Sequence, residues 1–206
     1  MSKIKIGVLG STKGTDLQAV IDAIENGDLD AEIALVLSNK EDAFILERAR
    51  KHNLPVKFVN PKDFSSKDEF DHALREELDG ANVDLVLLIG YMKIVGKELC
   101  EAYRNKIMNI HPSLLPKYSG GMDTNVHEEV LKNQDEETGC TLHFVTEEVD
   151  EGPIIMQQEV KVEENDTVDS LKDKVQKAEQ ELIIKAIKLF SEGKINVKDG
   201  KVIVDG

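Results

Sequence analysis

The chain has 206 residues, 40% of them hydrophobic and 32% charged, which is ordinary for a globular protein, too apolar for a disordered one, and enough for one well-filled core. Forty acidic against twenty-six basic residues leave a net charge of −14, which opposes a partner held by counterion release and argues against nucleic acid. With only Cys100 and Cys140, no run of eighteen apolar residues and a first apolar run too short for a signal peptide, the chain is expected to be cytoplasmic, to cross no membrane, and to form a single domain over residues 1–206.

KIKIGVL (3–9) predicts a strand, and Leu17, Val20, Ile21 and Ile24 recur at helical spacing up to Gly27. AEIALVLS (31–38) predicts the next strand, residues 42–52 a helix and VKFVN (56–60) a short strand. Phe70, Leu74 and Leu78 mark another helix face, and VDLVLLIG (83–90) is apolar enough to be a central strand buried on both faces. IMNI, strand-like, ends at His111 and Pro112. After Gly139 the pattern changes to CTLHFVTEEVD and PIIMQQEVKV, which predict an antiparallel pair with Asp150 in its connection. From Thr167, an expected N-cap, Leu171, Val175, Ala178, Leu182, Ala186 and Leu189 trace one helix stripe to Gly193. Asp199 and Gly200 then signal a tight hairpin.

This alternation predicts an α/β fold: a Rossmann-like, mostly parallel twisted sheet with helices on both faces, an antiparallel extension in the C-terminal half and a small C-terminal hairpin. Ligands of such sheets bind beyond the carboxyl ends of the strands. Function is therefore expected in residues 10–16, 90–95 and 109 onward.

GSTKGTD (10–16) is a strand-to-helix turn whose glycines and free amides, with Lys13, fit either a plain structural turn or a phosphate site. Asp16 counts against an anion there. The turn matches neither GxxxxGK[ST] nor GxGxxG. NIHPSLLP (109–116) presents the Asn109 amide and the His111 imidazole two residues apart, on one strand face. Asn109 can donate to a carbonyl oxygen and His111 can donate a proton or stabilise an oxyanion, which suits acyl transfer. Taken alone, an NxH pair is more often a histidine satisfied in the core. Asp150, in VDEGPI (149–154), reads as a solvated turn residue unless it pairs with His111. Met92, Ile94 and Val95 in IGYMKIV (89–95) can line an apolar pocket or pack in the core. His52, His72, His127 and His143 have no HExxH spacing and the cysteines form no CxxC pair, so no metal is expected. No GxSxG elbow is present, and Ser113 has no nucleophile context.

NIHPSLLPKY (109–118), TGCTLHFVTEEVDEGPII (138–155) and GTDLQAVIDA (14–23) together resemble the folate-dependent formyltransferase and hydrolase superfamily. Over residues 4 to about 190, with SNKEDAFILERAR (38–50), the chain is similar in particular to the phosphoribosylglycinamide formyltransferase family. The resemblance implies direct transfer of the formyl group of 10-formyltetrahydrofolate to the amine of 5′-phosphoribosylglycinamide, without a metal. It implies that Asn109 and His111 bind and polarise the formyl oxygen and that Asp150 orients His111 or a water. It further implies folate contacts from Lys67, Met92, Lys93, Ile94, Val95 and Asn109, phosphate contacts from Lys13, Gly14, Thr15 and Asp16, and an amine contact from Glu179.

Three departures from the family pattern stand out. Lys67 replaces the usual arginine, keeping the charge and losing the planar fork. GSTKGTD is one residue longer than usual and carries Asp16 where an asparagine is normal, and YSGGMDTNVHEEVL (118–131) has about three extra residues. The acidic charge and a sequence ending near residue 206 lead us to expect no methionyl-tRNA formyltransferase, and a first strand beginning at Lys3 leads us to expect no N-terminal regulatory domain of the kind a 10-formyltetrahydrofolate hydrolase normally has. A formyltransferase for an amino sugar nucleotide, or a non-catalytic nucleotide-binding module, would share the fold. Small-molecule substrates are expected, with the chain a monomer or homodimer.

Overall fold

Strictly alternating apolar and amphipathic segments build the first half of the chain. In the computed structural model, which describes residues 3–121 and 123–205, β1 (Ile4–Gly10), α1 (Thr15–Glu25), β2 (Ala31–Ser38), α2 (Phe44–Lys51), β3 (Val56–Phe58), α3 (Lys67–Gly80) and β4 (Leu85–Ile89) follow in order. Then come α4 (Lys97–Ala102), β5 (Ile107–His111), α5 (Asp123–Lys132), β6 (Glu137–Phe144), β7 (Ile154–Lys161), α6 (Val168–Ser191), β8 (Ile195–Lys198) and β9 (Lys201–Val204). Met122, in the lengthened segment after Tyr118, lies outside the described residues.

The main sheet has seven strands in the order β3-β2-β1-β4-β5-β6-β7. β1 pairs in parallel with both β2 and β4, so the strand order reverses at β1. The β2–β3 and β4–β5 pairs are also parallel, whereas β6 and β7 are antiparallel. A mostly parallel α/β sheet with an antiparallel extension is thus the observed architecture. Among the described residues, no helix is long and apolar enough to cross a membrane.

The chain divides into two compact units, residues 1–109 with 145–147, and residues 110–144 with 148–206. In the first, Phe70, Leu74 and Leu78 of α3 pack in a core with Leu9, Leu37, Val86 and Leu88 of the strands. Every residue of β4 is buried, as its unbroken apolar run requires. In the second, α6 lies against β6, β7 and α5, burying Leu171, Val175, Leu182, Ile183, Ala186 and Ile187.

Thr167 caps α6 in the expected way. Its side chain accepts from the Ser170 amide at 3.2 Å, while Ser170 Oγ accepts from the Thr167 amide at 2.9 Å, a reciprocal cap of the kind that contributes about 1 kcal/mol. Asp199 and Gly200 both have positive φ, 50° and 73°, and join β8 to β9 through the Lys198–Lys201 pair. That is the two-residue turn expected of Asp-Gly.

Some boundaries differ from the sequence expectation. α2 begins at Phe44 rather than residue 42, because Ala43 keeps an extended backbone. β4 spans five residues, shorter than the apolar run that contains it. α4 and α5 carried no sequence signal of their own, for α4 has only six residues and α5 shows one apolar i,i+4 pair, Val126 and Val130.

Candidate active site

β5 carries both Asn109 and His111, and Pro112 then turns the chain away from the ladder. Asn109 is half-buried, whereas His111 is only 3% exposed. The turn that follows is fastened to β6. Thr141 Oγ1 donates to the Ser113 carbonyl at 2.7 Å and accepts from the Leu115 amide at 2.9 Å, while Ser113 Oγ donates to the Lys117 carbonyl. Leu115–Pro116 is cis. Ser113 therefore shapes the turn, in keeping with its lack of a nucleophile context.

The turn delivers the Tyr118 carbonyl to His111, whose Nε2 donates to it at 3.0 Å. A carbonyl can only accept, so this contact fixes a proton on Nε2. Tyr118 is itself anchored: its hydroxyl donates to Asp135 Oδ2 at 2.7 Å and accepts from Asn133 Nδ2 at 2.8 Å.

Asp150 arrives from the β6–β7 connection with φ 57°, a left-handed conformation that Asp tolerates better than most residues. Its Oδ2 lies 3.3 Å from His111 Nδ1 and accepts from the Gly120 amide at 2.8 Å. Its Oδ1 lies 3.5 Å from His143 Nε2. The side chains of His111, His143 and Asp150 are all at least nine-tenths buried. Burial pushes the His111 imidazole below its ordinary pKa, against the opposing pull of Asp150 and the Tyr118 carbonyl. Burial raises Asp150, but the His143 contact, the Gly120 amide and the two imidazoles outweigh it and hold the carboxyl below its usual range.

The structure brings His111 and Asp150 together, the pairing on which a role for Asp150 depended. His143 was not anticipated, since the sequence weighed it only for metal spacing. Glu179 is buried on the inner face of α6.

In the first unit, the loops after β1, β2 and β4 meet at Ser11. Its amide donates to the Gly90 carbonyl at 3.1 Å, its hydroxyl donates to Asn39 Oδ1 at 2.5 Å, and it accepts from the Met92 amide at 2.9 Å. These are the carboxyl ends of the strands at the point where their order reverses, where α/β sheets bind ligands. Gly14 caps α1 in the left-handed conformation, with φ 66°. Lys13 is exposed and its carbonyl accepts from Arg48 Nε at 3.2 Å. Thr15 is half-buried. Asp16 is 7% exposed and sits in the first turn of the helix.

Lys67, Met92, Lys93 and Ile94 do gather around one open cavity of about 590 Å³, with Phe64 and Phe70 as its aromatic lining. Lys93 Nζ lies 5.5 Å from the centre of the Phe70 ring, within cation–π range. Met92 and Ile94 are exposed, whereas Val95 is buried in the core beside them. Asp71, 2% exposed, also lines the cavity. The trough is of mixed character, with Phe64, Phe70, Met92 and Ile94 beside Ser65, Ser66 and Asp71 and two ammonium groups at its edge, a lining that can take a flat polar ligand.

A mostly parallel α/β sheet, ligand loops at its reversal point, and a buried imidazole–carboxylate pair beyond a strand end define a class of enzyme built for polar group transfer on small molecules. The formyl transferase family model matches residues 4–187, and the chain belongs to that family. It is 41% identical to phosphoribosylglycinamide formyltransferase of Haemophilus influenzae over 202 residues, covering 98% of this chain and 94% of the relative. Among solved structures, glycinamide ribonucleotide transformylase 1 from Symbiobacterium toebii superposes with a TM-score of 0.93 at 40% identity, covering 100% of this chain and 95% of that one. A formyltetrahydrofolate deformylase from Pseudomonas syringae pv. tomato is more distant, with a TM-score of 0.88 at 26% identity; this chain spans 66% of it.

Proposed function

We propose that this enzyme transfers the formyl group of 10-formyltetrahydrofolate to the amine of 5′-phosphoribosylglycinamide, a step of purine synthesis in the cytoplasm. The observation that carries the reading is the buried His111–Asp150 contact at the end of the strand that also bears Asn109, in a chain so similar to enzymes of that name.

The amine nitrogen attacks the formyl carbon, giving a tetrahedral intermediate whose oxyanion is held by the Asn109 amide and by His111. Since Nε2 of His111 is committed to the Tyr118 carbonyl, the proton it offers to the oxygen is the one on Nδ1, beside Asp150. Burial makes that imidazolium a stronger acid. As the intermediate collapses, the oxygen returns its proton to His111 and regains its double bond, the bond from the formyl carbon to N10 of the folate breaks, N10 takes a proton, and the attacking nitrogen gives one up. Asp150 orients His111 or the water that carries this proton.

Lys67, Met92, Lys93, Ile94 and Val95 form the folate side. Lys13, Gly14, Thr15 and Asp16 form the phosphate side, where Lys13 offsets the charge of Asp16, and Glu179 meets the amine.

A rate assay with 10-formyltetrahydrofolate and a panel of amine acceptors tests the reading. Transfer to the glycinamide ribonucleotide is expected, with His111→Ala losing about a hundredfold or more in turnover while folate still binds. No turnover with any amine would sink the proposal, and formate release without an acceptor would favour a hydrolase.

A further inference from the structure

We propose that His143 is a positioning residue for this reaction: seated on the far oxygen of Asp150, it holds that carboxylate turned towards His111. The inference rests on the formyl-transfer reading above and adds a residue to which that reading gives no part.

Three observations carry it. The first is placement. His143 is 2% exposed and lies where the β6–β7 ladder slips: Leu142 pairs with Met156, but His143 pairs with Ile154. A bulge of this kind re-aims a side chain, and bulges are frequent beside active sites. Its effect here is that Nε2 of a buried strand histidine faces the connection bearing Asp150.

The second is hydrogen-bond accounting. Nδ1 of His143 lies 3.0 Å from the Phe144 carbonyl, which can only accept, so Nδ1 carries a proton. Nε2 then faces Asp150 Oδ1 at 3.5 Å. Were Nε2 bare, two groups of lone pairs would confront each other in a buried setting, an arrangement that native interiors avoid. Nε2 therefore presents a proton to Asp150 Oδ1.

The third is the division of labour between the two carboxylate oxygens. Oδ1 faces His143, while Oδ2 faces His111 and accepts from Gly120. The groups acting on Asp150 are thus the β5 imidazole, the β6 imidazole and one turn amide. The ring N–H on Oδ1 and the Gly120 amide on Oδ2 hold the carboxylate from both sides. The carboxylate is then ready to receive or restore the Nδ1 proton of His111, and its rotation is fixed from behind. The arrangement parallels the outer hydrogen-bond partners that orient working side chains elsewhere.

The test uses the intact chain. In 15N-labelled protein, Nε2 of His143 should give the shift of a protonated ring nitrogen, and Asp150→Asn should change that shift. A bare Nε2 in the wild-type ring overturns the proposal, whether or not any variant folds. In His143→Gln, kcat should fall about tenfold or more with little change in the KM for the folate. The acid limb of its kcat profile should move to higher pH, because Asp150 protonates more readily without the His143 hydrogen bond. A variant with the wild-type acid limb overturns the positioning role. If the wild-type chain formylates no amine, the functional reading fails, while the ring-nitrogen spectrum still decides whether Nε2 of His143 donates to Asp150.

Discussion

The Gly120 amide donates to Asp150 Oδ2 at 2.8 Å, on the same oxygen that lies 3.3 Å from His111 Nδ1. Two residues earlier, the Tyr118 carbonyl holds the other nitrogen of that imidazole. One short turn therefore fixes both members of the pair through its backbone. Gly120→Pro removes the N–H and cannot adopt the observed φ of 74°. Losing a hydrogen bond to a charged group costs about 1.5–3 kcal/mol, so formyl transfer should fall roughly tenfold to a hundredfold. Wild-type rates in this variant would show that the amide contact has no part in turnover.

Gly14 tests the strand-to-helix turn. Its left-handed backbone alone costs a substituted side chain about 1–2 kcal/mol, and a Cβ there would collide with the Ile45 side chain on α2. Ile45 cannot retreat easily, being fully buried, with its amide bound to the Thr12 carbonyl at 3.0 Å. Gly14→Ala should therefore lower stability in denaturant titration by at least about 2 kcal/mol and raise the KM for the ribonucleotide. A variant as stable as wild type would mean that the turn has an alternative conformation within easy reach.

Much of this architecture was legible because it is local. β2 occupies the run AEIALVLS, α6 starts after the Thr167 cap, and the Asp199–Gly200 hairpin follows from turn chemistry alone. The Asn109–His111 spacing was equally visible, since the two-residue strand period puts both on one face. His143 was not legible. Its partner lies seven positions on, brought back by a connection whose path depends on a ladder slip and a left-handed aspartate. No periodicity in the sequence marks either feature. The burial of Asp16, beside an exposed Lys13, is likewise a placement that the sequence does not give.

The two substrate sides should respond separately to charge. Lys13→Ala should raise the KM for the phosphorylated acceptor several-fold, with kcat and the KM for the folate near their original values. The effect should shrink as salt is added, since Lys13 is exposed. Lys67→Ala should do the reverse, weakening the folate side alone, whereas Lys67→Arg should retain or improve it because a planar fork binds a carboxylate at two points. Titrating each substrate against each variant decides the matter. A Lys13→Ala enzyme with unchanged apparent affinity for the ribonucleotide would remove Lys13 from the phosphate site.

Asp71 offers a prediction about stability that does not depend on the reaction. It is 2% exposed, and its Oδ2 has no hydrogen-bond partner among the described residues. Burial raises its pKa above the ordinary value, outweighing the attraction of Lys67, the Gly96 backbone and Lys93. The folded state therefore binds a proton more tightly at this site than the unfolded state does. Stability is then lost as pH rises from the ordinary carboxylate range through the raised value, and no difference remains below that range, where both states are protonated. Asp71→Asn keeps the shape and an acceptor oxygen without the charge. Its thermal midpoint at neutral pH should exceed that of the wild type by a few degrees, about 2–4 °C for each kcal/mol gained at this size. The gain should vanish on acidification below the ordinary carboxylate range. Thermal melts of both proteins without ligand, from pH 3 to pH 8, make the comparison; an Asn variant less stable at neutral pH and level with wild type in acid would show that the ionised form is the one the fold prefers.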